Sequence, residues 1–204
     1  HKYLGPLTEA YKECIFTNCP VVTVRRTDKG VIVSSNRFGE QYFDEVIFAC
    51  HSDQALQLLA DASSTETEIL SAIPFESNQV ILHSDTRLLP VSRRAWASWN
   101  YLLSERGSDS ATLTYNMNIL QRLNSAETFC VSVNAGNKIE ASKIYGTYRY
   151  SHPMFTQGSL AAQARWEDIS GVNHTHFCGA YWRNGFHEDG VVSAIKVASC
   201  LGEV

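Results

Sequence analysis

The segment His174-Thr-His-Phe-Cys-Gly179-Ala-Tyr-Trp-Arg-Asn-Gly185-Phe-His-Glu-Asp-Gly190-Val191 is the most informative stretch of the chain. It reads as a short strand that ends at Gly179, a loop with Gly185 in its middle, and a helix that Gly190 opens. Its remaining positions are typical of a helix, with four apolar residues at helical spacing and a C-cap glycine: Val191, Ile195, Ala198, Leu201 and Gly202. The stretch therefore predicts a strand, a glycine-marked loop and a helix, in that order.

Such a helix start favours an electron-rich ligand. Glycine permits close approach of the backbone to a bound molecule. The free N–H groups of the first helical turn, aided by the helix dipole, attract negative charge. Asp189 or Glu188 offers an alternative, because either carboxylate can cap the same N–H groups and leave an ordinary helix. Spacing alone leaves both interpretations open.

The first part of the chain predicts a β-meander followed by helices. Strands are expected over 20–26, 31–35 and 41–50, joined by turns that end in Gly30 and Gly39. The end of the third strand is apolar throughout, as in a strand buried on both faces. The tail of a helix is expected over 1–13, before the meander, and two helices are expected after it, over 53–60 and 65–72.

The middle of the chain has a different texture, with short runs of aromatic and β-branched residues. Five strands are expected, over 79–83, 94–103, 112–115, 128–133 and 143–150, with a helix over 116–123. This spacing indicates an antiparallel sheet and a second structural unit. Another helix is expected over 159–166. The fold class is therefore α/β, or α+β overall.

Composition excludes several classes of partner. A net charge of −4 without any Lys/Arg run gives no reason to expect a nucleic-acid partner. Apolar stretches are strand-sized, so no stable membrane insertion is expected. The six cysteines form no C-x-x-C pair and several lie in apolar runs, which favours reduced cysteines and a cytoplasmic location. The chain opens at His1 and not at methionine, which suggests a fragment or a processed chain.

The segment resembles the C-terminal FAD motif of the flavin-containing amine oxidase family. That motif has an apolar strand, A/C-G, a loop, and G-Y/F-x-E-G/D/A-A/G-V-x-S-G/A. It stands here as Phe177-Cys-Gly179 and as Gly185-Phe-His-Glu-Asp-Gly-Val-Val-Ser-Ala194. Upstream, Cys19-Pro-Val21 resembles the family's p-V element, and Phe43-Asp-Glu-Val-Ile-Phe-Ala49 resembles its y-x-A-D-x-V-I-x-A strand. The resemblance covers nearly the whole chain, with its elements in family order.

The wording of two further stretches is similar to a bacterial subgroup of NAD/FAD-binding proteins. These stretches are Phe48-Ala-Cys-His-Ser-Asp-Gln-Ala-Leu56 and Arg94-Ala-Trp-Ala-Ser-Trp-Asn-Tyr101. Members of that subgroup often accompany cyclopropane-fatty-acid synthase-like enzymes. This resemblance implies a lipid-like or other non-amine substrate.

The resemblance implies non-covalent FAD as cofactor and assigns positions to it. Gly179 and Ala180 would lie by the pyrophosphate and ribityl chain, and Phe186 and His187 beside the isoalloxazine. Val191 would offer its backbone N–H to the flavin. The remaining implied cofactor positions are Gly190 at the helix start and Val21, whose backbone would contact the adenine. Phe186 also occupies an aromatic position of the amine-binding cage.

Several family features are absent from the sequence. Ala180 stands where many members carry an acidic residue, and no S-G-G-C-Y motif for covalent flavin occurs. No counterpart of the active-site lysine of many amine oxidases is assignable, so the catalytic residues are unknown. The chain also lacks the N-terminal G-x-G-x-x-G that grips the FAD pyrophosphate. The chain is therefore expected to be a piece of a longer enzyme and to be inactive alone.

Taken together, the prediction is an FAD-dependent oxidoreductase that transfers hydride from a C–N or C–C bond of a small or lipid-like substrate to the flavin. Residues 1–75 would form a partial Rossmann-like FAD-binding domain with the meander, 76–150 an inserted antiparallel substrate domain, and 151–204 the C-terminal FAD-binding segment. The alternative is a non-catalytic binding or scaffold module that keeps the fold. The oligomeric state is not predicted.

Other residue patterns offer weaker alternatives. His174, His176 and Cys178 alternate on one strand, with His187 downstream, and together these residue types resemble a set of zinc ligands. The alternative is a strand packed under a flavin, which needs no metal. Two runs contain triad residue types without a G-x-S-x-G elbow, His51-Ser-Asp53 and His83-Ser-Asp85.

Aromatic residues of the predicted strand 94–103 fall on two faces. Trp96 lies on the face opposite Trp99 and Tyr101 in this interpretation. Core packing explains such residues. The alternative is that Trp99 or Tyr101 lines a substrate pocket, since pockets are mainly apolar and aromatic.

Overall fold

A computed structural model describes residues 3–103 and 112–202, and the chain divides into two units. One unit is His1–Phe75 with Pro153–Val204, and the other is Glu76–His152. The first two residues of the predicted N-terminal helix, His1 and Lys2, lie outside the described residues. The mixed α/β class is confirmed.

The first unit begins with helix α1 (Leu4–Thr8), a 3-10 turn, and a three-stranded antiparallel meander. Its strands are β1 (Val21–Thr27), β2 (Gly30–Ser35) and β3 (Gly39–Phe43). The predicted strand over 41–50 is wrong, because Asp44 and Glu45 interrupt it. The strand that follows leaves the meander.

That next strand, β4 (Val46–Phe48), pairs in parallel with a strand from the end of the chain. Its side chains do not all lie in the interior: Phe48 is buried but Ile47 is 46% exposed. The prediction that this run is buried on both faces is therefore wrong for Ile47. The described residues cover only one face of it.

Helices α2 (Ser52–Leu58) and α3 (Ser64–Ser71) follow, close to their predicted positions. Ser63 accepts a hydrogen bond from the Glu66 N–H at 3.1 Å, and Glu66 accepts one from the Ser63 N–H at 2.7 Å. This reciprocal capping box fixes the start of α3. It also holds the Glu66 carboxylate inside the unit, where it pairs with Arg26 of β1.

The second unit is a five-stranded sheet with strand order β6-β7-β8-β5-β9. Its elements are β5 (Phe75–His83), β6 (Trp99–Leu102), β7 (Thr112–Asn116), α4 (Met117–Leu120), β8 (Cys130–Val133) and β9 (Ile144–Pro153). The predicted strand over 94–103 is shorter, because a 3-10 turn occupies Arg93–Ala95. Trp96 is therefore outside β6, and its indole N–H donates to the Pro90 carbonyl at 2.8 Å.

One face of this sheet is buried, and it carries hydrogen-bonded polar side chains beside the apolar Ile81 and Cys130. The Asp85 N–H donates to Nδ1 of His83 at 3.1 Å, and Nε2 of His83 lies 2.8 Å from the Ser132 hydroxyl, which lies 2.7 Å from that of Thr114. Because Nδ1 is an acceptor, Nε2 carries the proton of a neutral imidazole. Burial lowers the pKa of His83, consistent with this neutral form.

The last part of the chain returns to the first unit as α5 (Gln157–Gln163), β10 (Thr175–Phe177) and α6 (His187–Cys200). β10 pairs with β4, and the stacked rings of Phe177 and Phe48 lie 5.3 Å apart. The outer edge of β10 is closed, since Ser170 accepts from the Phe177 N–H and the Trp166 indole donates to the Phe177 carbonyl. A fully buried core surrounds the pair, including Val24, Val31, Ile69, Leu70, Ile73, Ile169 and Val197.

Candidate functional site

The candidate site lies where β4 and β10 end. Because the two strands are parallel, their carboxyl ends meet at one edge, and the Cys178 N–H still donates to the Phe48 carbonyl at 2.9 Å. Ligands of open α/β sheets bind beyond the carboxyl ends of the strands. The glycine-marked loop begins at this edge, with Gly179.

Gly179 has a conformation that a side chain would not permit. Its φ is +154°, and a Cβ placed there would lie 2.5 Å from Cε1 of Tyr181. The Tyr181 ring is 5% exposed and packs in the core, so it has little room to move. The sequence predicted a glycine that ends the strand; the structure adds the ring that makes glycine necessary.

Two hydrogen bonds connect the start of the loop with the start of α6. The Gly179 N–H donates to the Ser193 hydroxyl at 2.9 Å, and that hydroxyl donates to the Gly190 carbonyl at 2.8 Å. A Cβ on Gly190 would lie 3.9 Å from the backbone N and Cβ of Ala180. Gly179, Ala180 and Gly190, predicted as one site, are thus brought together.

Helix α6 begins earlier than predicted. It starts at His187, so Gly190 lies within the first turn and does not open the helix. The Asp189 carboxylate accepts a hydrogen bond from the Phe186 N–H at 3.0 Å. The predicted alternative, in which Asp189 caps N–H groups at the helix start, therefore holds for the N–H of Phe186. Among the described residues, no side chain caps the N–H groups of the first turn from the N-cap position.

The remaining predicted cofactor positions are accessible. Phe186 is 56% and Val191 54% exposed, and His187 is exposed at the start of α6. Val21 is exposed at the start of β1, where it pairs with Ser35. The predicted substrate-lining residues Trp99 and Tyr101 belong to β6 in the other unit, and both are exposed.

The interior of the loop contains a contact that the sequence did not reveal. The Gln163 side-chain amide donates to the carbonyls of Tyr181 and Arg183 at 2.8 and 2.7 Å, which ties the loop to α5. Tyr181 and Trp182 are both buried, and burial raises the pKa of Tyr181. The adjacent aromatic pair after Gly179 was the available signal for a loop anchored in the core.

The histidines near β10 pair with a carboxylate. Nδ1 of His174 lies 3.0 Å and Nε2 of His176 lies 3.2 Å from the two oxygens of Glu45. No group of three or more His, Cys, Asp or Glu suited to a metal ion occurs within residues 3–103 and 112–202. Glu45 was the residue that the sequence pattern missed.

Neither triad-like run forms a triad. The Ser52 hydroxyl is buried and donates to the Ile73 carbonyl at 2.8 Å, while the His51 ring stacks on Phe75 at 4.1 Å. In the other run, the Asp85 carboxylate binds Arg87, and this bond lowers the pKa of Asp85. Nδ1 of His83 accepts from the backbone N–H of Asp85, and its Nε2 lies by Ser132, which is outside the run. The described contacts therefore activate no nucleophile within either run.

Two further findings concern the class of protein. All six cysteines are unpaired. In the described part of the chain, no helix has the length and apolar character that crossing a membrane requires.

The fold is one that solved oxidases share. No family model and no curated protein matches the chain. Putrescine oxidase bound to putrescine has a TM-score of 0.62 at 14% identity, with 96% of this chain covering 50% of that one. Cyclohexylamine oxidase from Brevibacterium oxydans IH-35A has a TM-score of 0.63 at 12% identity, covering 97% of this chain and 51% of that one.

A fatty acid isomerase from P. acnes that produces CLA is also similar. Its TM-score is 0.59 at 11% identity, with 89% of this chain covering 47% of that one. The chain therefore spans about half the length of the solved structures that it matches. At these identities the likeness concerns the fold.

Proposed function

We propose that the chain is the flavin-side part of an FAD-dependent oxidoreductase, and that the loop from Gly179 to Val191 binds the FAD. The observation that carries the proposal is the position of this loop. It follows a parallel strand pair, and it presents an accessible helix start beside two small residues, Ala180 and Gly190. The sequence resemblance to the flavin-containing amine oxidases and the fold of the solved oxidases support the same function.

The residues present fit such a cofactor. In the described part of the chain, the first turn of α6 donates no hydrogen bond to an N-cap side chain, so its N–H groups and the helix dipole are suited to an electron-rich group. Phe186 offers an exposed ring and Val191 an accessible position near the helix start. Gly179 and Ala180 would lie by the pyrophosphate and ribityl chain, Phe186 and His187 beside the isoalloxazine, and Val21 by the adenine.

When bound, the flavin would accept a hydride from a C–N or C–C bond of the substrate, and oxygen or another acceptor would reoxidise it. The residues of the chain would position the cofactor and stabilise the charge that develops on it. The start of α6 would favour negative charge that develops on the cofactor, because its N–H groups are already oriented. The buried side chains of Tyr181 and Trp182 would anchor the loop in the core and keep it rigid. No catalytic residue is assigned.

The two units would have different binding roles. The first would bind FAD together with a dinucleotide-binding segment. The free edge of β4 supports this proposal, because the N–H and C=O of Ile47 point to a side where the described residues offer no strand. The second, with Trp99 and Tyr101, would contact a small or lipid-like substrate. The unpaired cysteines support a cytoplasmic location.

Replacing Gly190 by alanine tests the role of the loop. The chain itself leaves room for the methyl group, whose nearest contact would be 3.9 Å away, so glycine is not required by the fold. A cofactor packed against this position would meet the methyl group, at a cost of about 1–3 kcal/mol. We expect FAD to bind about tenfold or more weakly, measured by quenching of flavin fluorescence in titrations of the protein.

Gly158→Ala is the matched control. It also lies in a helix, α5, and its Cβ would meet only the Thr156 hydroxyl at 3.6 Å. Both variants should unfold at the wild-type temperature or slightly above it, because alanine favours helix. Equal FAD affinity of Gly190→Ala and the wild type would contradict the proposed contact.

A further inference from the structure

Helix α5 contacts the proposed FAD-binding loop near both of its ends. At the C-terminal end of the helix, Nε2 of Gln163 donates to the carbonyls of Tyr181 and Arg183 at 2.8 and 2.7 Å. Just before the helix begins, Phe155 packs on Gly185, where a Cβ would lie 3.5 Å from the Phe155 ring and φ is +87°. The loop is therefore attached to α5 at two points.

The position of α5 is fixed by contacts of its own. Its start has a reciprocal capping box, in which the Ser159 N–H donates to the Thr156 hydroxyl at 3.1 Å and the Thr156 N–H to the Ser159 hydroxyl at 2.7 Å. Ala162 belongs to the buried core of the first unit, as does Trp166 shortly after the helix. Since Gln163 follows Ala162 directly, its side chain extends from a backbone that the core holds in place.

The side-chain amide of Gln163 orients the backbone of the loop. Two carbonyl oxygens converge on it and each accepts a hydrogen bond, and the amide nitrogen carries the two N–H groups that this requires. A trans peptide points its N–H opposite to its C=O, so holding the Arg183 carbonyl towards α5 directs the Asn184 N–H away from α5. Gln163 thus determines which backbone groups of the loop face away from the helix.

Packing alone does not fix the loop on the side of α5. A cavity of about 120 Å³ lies between α5, the loop and α6, with Gln163, Trp182 and Ser193 among the residues of its wall. Side chains that line a void lack contact atoms on that side, so they leave neighbouring segments room to move. The orientation of the loop therefore depends on the directional hydrogen bonds from Gln163, together with the bond between the Gly179 N–H and the Ser193 hydroxyl.

We propose that Gln163 is a positioning residue for FAD, because it holds the loop in the conformation that binds the cofactor. This inference rests on the proposed function and adds a residue from outside the loop to the site. A loop that has its binding conformation only part of the time binds in proportion to that fraction. Loss of the Gln163 amide would therefore weaken FAD binding without removing any contact to the cofactor.

Gln163→Met tests the inference, because methionine has a similar length and no N–H donor in its side chain. FAD binding to the full-length gene product would be titrated by quenching of flavin fluorescence. We expect the Kd to rise about tenfold, since the two hydrogen bonds that orient the loop are lost. Without FAD, the backbone amides of residues 179–186 should exchange hydrogen faster than in the wild type, measured by mass spectrometry.

Gln157→Met is the matched control. Gln157 begins the same helix and is exposed. This variant should bind FAD and exchange its loop amides as the wild type does. Circular dichroism and the unfolding temperature would verify that both variants are folded during the titration, so that the Kd describes folded protein. A merely structural role of Gln163 would lower the unfolding temperature and leave this Kd unchanged.

The outcomes separate the positioning role from the flavin function. If the wild type binds FAD and Gln163→Met binds it equally well, the positioning role is wrong and the flavin function stands. The same holds if Gln163→Met and Gln157→Met lose equal affinity, or if the loop amides of Gln163→Met exchange at the wild-type rate. A wild-type protein that cannot bind FAD would refute the flavin function and this inference with it.

Discussion

Replacing Glu66 by alanine is expected to lower the free energy of unfolding by about 2–3 kcal/mol, because the buried Arg26 loses its buried carboxylate partner and is left with the more accessible Asp61. The Glu66 side chain is 3% exposed and that of Arg26 is 7% exposed. Glu66 also forms the capping box with Ser63 that starts α3. Chemical denaturation of the variant and the wild type would measure the difference.

Glu68→Ala is the matched control on the same helix. Its ion pair with Arg165 is accessible, with side chains 67% and 39% exposed, so its loss should cost less than about 1 kcal/mol. An equal effect of the two variants would contradict the account of the Arg26–Glu66 pair.

The loss in Glu66→Ala should also depend on pH. Burial opposes ionisation, but the hydrogen bonds from Arg26 and Ser63 outweigh it and lower the pKa of Glu66 below its ordinary value of 4.5. A depressed carboxyl pKa stabilises the folded state above the unfolded pKa, and this contribution is lost as the pH falls through the folded value. The difference between variant and wild type should therefore be full at neutral pH and shrink below about pH 4.5.

Gly179→Ala is expected to destabilise the first unit by about 3 kcal/mol, from overpacking and backbone strain together. The new methyl group would lie 2.5 Å from the ring of Tyr181, which the core holds in place, at a φ of +154° that favours glycine. Thermal and chemical unfolding would measure the loss, with Gly158→Ala as the control.

A double-mutant cycle separates the ring from the backbone. Tyr181→Ala removes the atoms that the new methyl group would meet, so the double variant should be less destabilised than the sum of the two single variants. Strict additivity of the two losses would show that the ring contact is not the reason for glycine at this position.

The sequence predicted the chain order of the site but not its internal contacts. Periodicity and glycine spacing located β10, the loop and α6, because these signals are local. The break at Asp44–Glu45 was missed, since an apolar run over 46–50 reads as a continuation of β3 until its parallel partner β10 is known. The predicted start of α6 is late because Gly190 is a strong local signal for a helix boundary, whereas the helix-compatible residues from His187 to Asp189 give none.

Contacts between residues far apart in the chain are not predictable from signals that are local in the sequence. Arg26 and Glu66 are forty positions apart, and Glu45 meets His176 across the strand pair, so neither contact has a periodic signature. The polarity of the second sheet was also hidden. Alternation is visible in each strand, but only register shows that Thr114, Ser132 and His83 share a face and that it is the buried one.

The proposed binding of non-covalent FAD by the loop from Gly179 to Val191 can be examined through the visible absorption spectrum of the purified full-length gene product. We expect a yellow protein with the absorption band of an oxidised flavin, from which denaturation releases FAD in a one-to-one ratio with the chain. A colourless protein that cannot be reconstituted with FAD would refute the flavin function and favour a non-catalytic binding or scaffold module.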